Sequence, residues 1–206
     1  MAAQRKDLGD GAWLLVDEAW LSPERATALL QALIAQVAWR QETIVVAGRR
    51  VLQPRLTAWY GDPDAAYTYS GLTLEPLAWI EPLIELRERL ARELDQKHNS
   101  VLVNRYRDGT DSMGFHADNE PELGPAPLIA SVSLGATRRF VLRHRNKARA
   151  PIDLDLSHGG LLVMGGTTQR QFRHAVPKRP AVREERVNLT FRCVIAAGSR
   201  AHSVAP

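Results

Sequence analysis

The 206 residues are enough to bury a substantial core, and a composition of 45% hydrophobic and 24% charged residues predicts one globular domain over residues 1–206. A single cysteine, Cys193, excludes an internal disulfide framework and a thiolate-rich zinc site, and no apolar run approaches the ~18 residues of a membrane span. The net charge of +4 favours an anionic partner such as nucleic acid. The N-terminus shows no signal-peptide core, so we expect a cytoplasmic protein.

Two helices are predicted in the first half of the chain. The triplet Ser22-Pro23-Glu24 favours a helix start, because it offers a hydroxyl cap, an early proline and an acid near the positive end of the helix dipole. A stripe of apolar residues continues this helix to Val37. A second helix is predicted to begin near Pro82, with leucines as its inner row.

Short apolar or alternating segments, punctuated by glycine and proline, predict strands over the rest of the chain. The predicted strands are 43–46, 55–60, 101–106, 128–134, 139–143, 152–156, 160–164 and 187–195. Two helices and many short strands of similar spacing predict a mainly β fold of the α+β class, with flanking helices and a jelly-roll core. Residues 196–206 are expected to form a flexible tail.

Asn104 and Tyr106 share one face of the strand predicted at 101–106. Their amide and hydroxyl groups can therefore donate hydrogen bonds into the same cavity. A polar strand face that meets water is the alternative explanation for this pair.

Two histidines and an aspartate form a candidate metal site. Only one residue separates His116 from Asp118, so both side chains reach the same side of an extended chain, and His174 could add a third ligand from a neighbouring strand. Two imidazoles and one carboxylate leave open positions on an octahedral metal, as Fe(II) needs for a cosubstrate and O₂. Zinc hydrolysis would also fit three such ligands.

The segment 186–192 distinguishes an Fe(II) site with a cosubstrate from a zinc hydrolase site. Alternate side chains of a strand share a face, and the polar face here carries Arg186, Asn188, Thr190 and Arg192. Two arginines on a buried strand are costly unless an anion compensates them, and a guanidinium matches a carboxylate better than a lysine does. A hydrolase has no need of such a row beside its metal. The pattern therefore predicts 2-oxoglutarate as the cosubstrate.

Taken together, these residues resemble the AlkB family of Fe(II)/2-oxoglutarate-dependent nucleic-acid dealkylases. The resemblance extends from about Pro54 to Ile195. It is carried by the segments 54–61, 67–71, 104–106, 116–120, 129–136, 174–177 and 186–192. It implies a double-stranded β-helix core at about 101–195, with a nucleotide-recognition lid and a supporting helix at about 43–100.

The resemblance also assigns the residues of the site. It makes His116, Asp118 and His174 the iron ligands. It places Asn104, Tyr106, Arg186, Asn188 and Arg192 around 2-oxoglutarate, with Arg186 on the distal carboxylate. An alternative for Arg192 is that it orients Asp118.

The implied reaction is oxidative demethylation of N1-methyladenine and N3-methylcytosine in DNA, with RNA as a further candidate. It consumes O₂ and releases formaldehyde, succinate and CO₂. Because methylation leaves these bases cationic and unpaired, an aromatic face and a carboxylate would select them. The base-binding residues implied are Tyr67, Tyr69 and Glu120, and the candidate phosphate-binding residues are Arg49, Arg50 and Arg55.

Two departures from the family pattern concern the substrate. Asn119 stands where close relatives commonly carry an aspartate, and the stretch 46–50 lacks the bulky apolar finger of members that probe duplex DNA. We therefore expect a preference for single strands, unless Val51 or Leu52 supplies the wedge. Basic runs could line a groove for the backbone, and they comprise Arg138-Arg139, residues 143–147, and Lys178-Arg179 with Arg183.

Other functions stay open from the sequence. The same iron chemistry could act on RNA, protein or lipid, and a non-catalytic nucleic-acid-binding module could keep the fold. We expect a monomer without a protein partner.

Overall fold

Two antiparallel sheets and two long helices build the molecule. The structure is a computed structural model that describes residues 3–46, 48–65, 67–69, 72–147 and 149–195, without the side chains of 46, 67–69 and 72–74. The elements in chain order are β1 (Gln4–Gly9), β2 (Ala12–Asp17), α1 (Pro23–Gln36), β3 (Thr43–Val46), β4 (Arg49–Leu52), β5 (Leu56–Gly61), β6 (Tyr67–Tyr69), β7 (Leu72–Leu74), α2 (Glu81–Leu94), β8 (Ser100–Tyr106), β9 (Met113–His116), β10 (Ile129–Gly135), β11 (Arg138–His144), β12 (Ile152–Leu156), β13 (Gly160–Gly166), α3 (Thr168–Gln171), β14 (Phe172–Val176) and β15 (Arg186–Arg192).

The major sheet has seven strands in the order β1-β2-β13-β10-β15-β8-β5, and the minor sheet has four in the order β12-β11-β14-β9. Strands adjacent in space are often far apart in sequence, as β10 is from β13 and β15. The predicted mainly β fold, with a jelly-roll core and flanking helices, is confirmed. Two further hairpins, β3-β4 and β6-β7, lie in the region predicted to form the lid.

Both long helices follow from their local sequence. Ser22 caps α1 by accepting a hydrogen bond at its hydroxyl oxygen from the Arg25 backbone N–H at 3.3 Å. The inner row of α1 buries Leu29 and Leu33 against the major sheet. The inner row of α2 buries three leucines completely, at positions 83, 86 and 90. None of the helices in the described ranges is both long and apolar enough to cross a membrane.

Two apolar clusters explain why the sheets are arranged in this way. One cluster lies between the helices and the outer face of the major sheet, and it includes Val187, Leu189 and Phe191 of β15. The other fills the space between the two sheets, where Met164 of β13 meets Phe172 of β14. Because the apolar face of β15 belongs to the first cluster, its polar face must turn toward the space between the sheets.

Several elements were not predicted from the sequence. The β1-β2 hairpin, the short helix α3 and the strands β4, β6, β7, β9 and β14 were missed. The last predicted strand ends at Arg192 instead of residue 195. β9 contains Gly114 and shows no buried alternation, so its sequence offers no strand signal. It forms because β14 pairs with it, a contact between segments almost 60 residues apart.

Candidate metal and cosubstrate site

Two histidines of the minor sheet and an aspartate of the connection after β9 lie close together at the β9 edge of that sheet. His116 ends β9, Asp118 follows in the next connection, and His174 lies in β14 directly opposite His116 in the strand register. Their candidate ligand atoms all lie within 4.8 Å of one another. Each imidazole Nε2 is 4.0 Å from one oxygen of Asp118. This spacing leaves room for one ion whose bonds to the ligands are about 2.0–2.2 Å long.

The hydrogen bonds of His116 prepare it to bind a metal. Its Nδ1 lies 2.9 Å from the carbonyl oxygen of Gly114, which can only accept, so the ring proton is on Nδ1. Nε2 then keeps its lone pair on the side of Asp118. Outer hydrogen bonds of this kind fix the tautomer of metal-binding histidines.

Asp118 is buried and oriented by two partners. Its Oδ1 accepts a hydrogen bond from Arg192 Nη2 at 2.8 Å, and its backbone N–H donates to Gln169 Oε1 at 3.0 Å. Burial by itself would raise the pKa of Asp118, but the positive charge of Arg192 and its hydrogen bond hold that pKa below its usual range. Within the described part of the chain, the buried Oδ2 has no hydrogen-bond partner. An ionised, unpartnered oxygen at this point suits a cation.

His174 is held neutral. Burial, followed by the proximity of His116, lowers the pKa of His174 to about 3. The ring of Phe140 stacks on it, with the centroids 5.2 Å apart. Two imidazoles and one carboxylate fit the facial triad of a non-haem Fe(II) oxygenase.

Arg186 offers a binding site for an anion on the neighbouring sheet. The guanidinium is 1% exposed, and its Nη2 donates to Ser133 Oγ at 2.9 Å. Its Nε and Nη1 have no partner among the described residues, and none of the ion pairs formed there includes it. Burial lowers the pKa of Arg186 to about 10. A buried guanidinium with two free donors is costly unless a bound carboxylate meets it.

Tyr106 lies beside this arginine, since the Arg186 guanidinium carbon is 5.2 Å from the centre of its ring. The two residues are also paired across β8 and β15. Asn104 and Asn188 form the next inward-facing pair of the same two strands. The sheet register thus brings together four of the five residues assigned to 2-oxoglutarate.

The two asparagines already have partners within the sheet. The Asn188 amide nitrogen donates to Ser131 Oγ and to the Val132 carbonyl oxygen, both at 2.9 Å. The side-chain oxygen Oδ1 of Asn104 accepts a hydrogen bond from Arg55 Nε at 2.8 Å. Their amide groups are therefore held in fixed orientations at the floor of the site.

Two arginines have surroundings that differ from the expected ones. Arg55 is only 8% exposed and hydrogen-bonds to Asn104, whereas it was expected to hold phosphates, and that role stays a prediction. Arg138, assigned to an exposed basic run, is 1% exposed. Arg192 donates a hydrogen bond to Asp118, which is the contact that its alternative role requires.

The residues expected to bind nucleic acid are less closely grouped. Arg49 and Arg50 are exposed on β4, whereas Glu120 is half-buried just before the short 3₁₀ turn at Pro121–Leu123. The side chains of Tyr67 and Tyr69 lie outside the described residues, as does Ala47 of the proposed fingertip.

Sequence reasoning missed three polar residues of the site. Ser131 and Ser133 alternate with apolar residues on β10, a pattern that places both hydroxyls on the same face of the sheet as Asn188 and Arg186. That signal was available in the sequence. Gln169 gave no such signal, because the four-residue helix α3 that positions it has no periodicity of its own.

Comparison with known proteins agrees with this arrangement. Residues 14–192 match the family model of the 2OG-Fe(II) oxygenase superfamily. The human alpha-ketoglutarate-dependent dioxygenase alkB homolog 3 is 42% identical over 180 residues, covering 83% of this chain and 62% of that protein. The human DNA oxidative demethylase ALKBH2 is 43% identical over 159 residues, covering 74% and 61%. This chain therefore spans less than two thirds of both human proteins.

Two further comparisons extend the likeness. The DNA oxidative demethylase ALKBH2 of Arabidopsis thaliana is 35% identical over 215 residues, which cover 92% of this chain and 68% of that protein. Among solved structures, OsALKBH1 superimposes with a TM-score of 0.61 at 18% identity, covering 91% of this chain and 100% of the other. At this identity the structural likeness shows the fold alone.

Proposed function

Because this chain belongs to the 2OG-Fe(II) oxygenase superfamily, and within it to the AlkB family, we propose that it oxidatively demethylates alkylated bases in DNA. The observation that carries the proposal is a pair of incomplete charge sites at the two ends of one face of β15, where Arg192 contacts Asp118 and Arg186 lies at the other end. One is the unpartnered oxygen of Asp118 between two imidazoles, and the other is the buried Arg186 with two free donors. The first suits Fe(II), and the second suits a dicarboxylic cosubstrate.

Each residue then has a definite task. His116, Asp118 and His174 hold the iron, while Arg192 keeps Asp118 ionised and turned toward it. We assign Arg186 to the remote carboxylate of 2-oxoglutarate. When bound, iron and 2-oxoglutarate with O₂ supply hydroxylation of the N-methyl group, which is lost as formaldehyde while succinate and CO₂ are formed.

The substrate side of the proposal depends on charge. A methylated adenine or cytosine is cationic, so a carboxylate near the metal would favour it over the normal base. Glu120 lies two residues after Asp118 and is half-buried, which suits this task. Tyr67 and Tyr69, in the β6-β7 hairpin, are assigned to stacking, and residues 43–100 to the lid with its supporting helix.

We propose a preference for single strands, based on the β3-β4 hairpin. Its exposed Arg49 and Arg50 can contact phosphates but cannot fill a gap in a base stack. The competing possibility is a wedge built from aliphatic side chains, since Val45 is 69% and Leu52 is 60% exposed. A DNA duplex must be unstacked at a cost of a few kcal/mol per step, a cost that is largely absent in single strands.

Other assignments follow the same reasoning. RNA carrying the same cationic bases is a second candidate substrate, because the base-selecting groups would be unchanged. We assign the protein to the cytoplasm, because a single cysteine, Cys193, suits a reducing compartment. We also assign it as a monomer. A non-catalytic module is disfavoured, since such a protein would have no reason to keep the complete set of donors around two charge sites.

The test uses purified protein with Fe(II), 2-oxoglutarate and ascorbate. Matched DNA and RNA oligonucleotides would carry N1-methyladenine or N3-methylcytosine, with and without a complementary strand. We expect formaldehyde release and restored bases with DNA, at a higher kcat/KM for the single strand. Turnover of 2-oxoglutarate without base repair would redirect the proposal to another substrate. A duplex rate equal to the single-strand rate would contradict only the strand preference.

A further inference from the structure

Arg138 is the second fully buried arginine of the fold. It stands at the start of β11, is 1% exposed, and forms no ion pair within the described ranges. Its guanidinium donates instead to three backbone carbonyl oxygens: those of Asp108 at 3.0 Å, Asp111 at 2.8 Å and Pro177 at 2.8 Å. These carbonyl groups satisfy Nη1 and Nη2 of Arg138, leave Nε without a hydrogen-bond partner among the described residues, and do not neutralise its charge.

These three carbonyls belong to two connections that frame the site. Asp108 and Asp111 lie between β8, which carries Tyr106, and β9, which carries His116. Pro177 follows the last residue of β14, the strand of His174. The Arg138 guanidinium therefore links the connection that precedes β9 to the residue that follows β14.

These connections are closely packed, so their backbone has little freedom to rearrange if Arg138 is replaced. A Cβ atom at Gly109 would lie 1.8 Å from the Arg179 carbonyl oxygen, so only glycine allows the observed approach. The Arg107 guanidinium is bonded to the carboxylate of Asp111, which holds the turn from its other side.

Arg138 also adjoins the predicted cosubstrate residues. Its guanidinium carbon is 5.5 Å from the centre of the Tyr106 ring, and that of Arg186 is 5.2 Å from the same centre. Two buried cations thus contact one phenol ring, and in the described structure neither has a carboxylate side chain as its partner. Such a pair of like charges is unfavourable by itself and favours a bound anion.

We propose that Arg138 is a positioning residue for the cosubstrate pocket, holding Tyr106 and the two metal-bearing strands in place while its charge strengthens binding of the remote carboxylate beside Arg186. This inference rests on the proposed function, because it takes 2-oxoglutarate as the anion. It predicts that loss of Arg138 weakens the binding of a dicarboxylic 2-oxo acid more than that of a monocarboxylic one.

The experiment measures equilibrium binding to the full chain loaded with Mn(II), which avoids turnover. The ligands are 2-oxoglutarate and 2-oxobutanoate, which lacks the remote carboxylate. Arg138→Met should weaken 2-oxoglutarate binding about tenfold, as expected of a unit charge at roughly 10 Å with an effective dielectric constant of about 20. Binding of 2-oxobutanoate should change much less. Arg139→Met is the matched control, because Arg139 is the exposed neighbour that pairs with Asp153.

Two other variants separate this role from a purely structural one. Arg138→Lys keeps the charge and should restore the preference for 2-oxoglutarate over 2-oxobutanoate, whereas Arg138→Gln, a neutral donor, should not. If Arg138→Met does not fold, the comparison of Lys with Gln still decides the matter. Equal weakening of both acids, or no change, would overturn the inference. Failure of the wild-type protein to bind 2-oxoglutarate would instead overturn the proposed function.

Discussion

Replacing Arg186 with lysine keeps a positive charge but removes the planar fork of the guanidinium. In the structure, Nη2 is used by Ser133 while Nε and Nη1 remain available for a carboxylate. An ammonium group at this depth can make at most part of those contacts. A hydrogen bond to a charged group contributes about 1.5–3 kcal/mol, so losing one should weaken 2-oxoglutarate binding about 10- to 100-fold.

The loss can be measured as thermal stabilisation by the ligand, with Mn(II) in place of iron. At 2-oxoglutarate 100-fold above its Kd, the wild-type protein gains about 2.7 kcal/mol of stability, and a variant that binds 100-fold more weakly gains about 0.4 kcal/mol. For a domain of this size, these gains correspond to increases in Tm of about 5–10 °C and about 1–2 °C.

The comparison is between the ligand-induced increases in Tm, so any effect of the substitution on the free protein cancels. Arg139→Lys provides the control, since Arg139 is an exposed arginine of β11 outside the site. An equal increase in Tm for the wild-type protein and Arg186→Lys would refute the assignment of Arg186 to the cosubstrate.

Three further predictions concern other groups. His174→Ala should abolish demethylation and Mn(II) binding, whereas the control His144→Ala, at the half-buried end of β11, should keep Mn(II) binding. Normal turnover by the His174 variant with added iron would contradict the ligand assignment. Tyr69→Ala should weaken repair of methylated DNA by about 1–3 kcal/mol while uncoupled 2-oxoglutarate turnover persists, and equal loss of both would indicate misfolding. Burial lowers the pKa of His98 from 6.5 to about 4, so its neutral form stabilises the fold fully above pH 6.5, and this contribution is lost as the pH falls toward 4. The free energy of unfolding in urea should therefore be about 3 kcal/mol lower near pH 4 than near pH 7 because of His98. His98→Leu should lack this part of the pH dependence. If the variant keeps it, His98 is not the cause.

Much of the site could be predicted because strand periodicity is a local property. Alternation along β15 separates Val187 and Leu189 from Arg186 and Asn188, whatever the neighbouring strands are. The same reasoning places Asn104 and Tyr106 together on β8. Helix α1 was equally readable, since its cap and apolar stripe lie within one short stretch of chain.

The tertiary structure decided which of the similar-looking arginines keeps two of its three guanidinium nitrogens unpartnered among the described residues. By itself the sequence determined that Arg186 and Arg192 share one face of a strand and that Arg138 belongs to a basic run, but not what each guanidinium contacts. Arg138 finds three carbonyls and Arg192 finds Asp118, whereas Arg186 keeps two free donors. These partners come from segments tens of residues away, brought close only when β10, β11 and β15 pair and the two sheets pack. Whether a buried guanidinium is satisfied by the protein or can bind a ligand depends on these distant neighbours. The local pattern of apolar and polar residues carries no information about them.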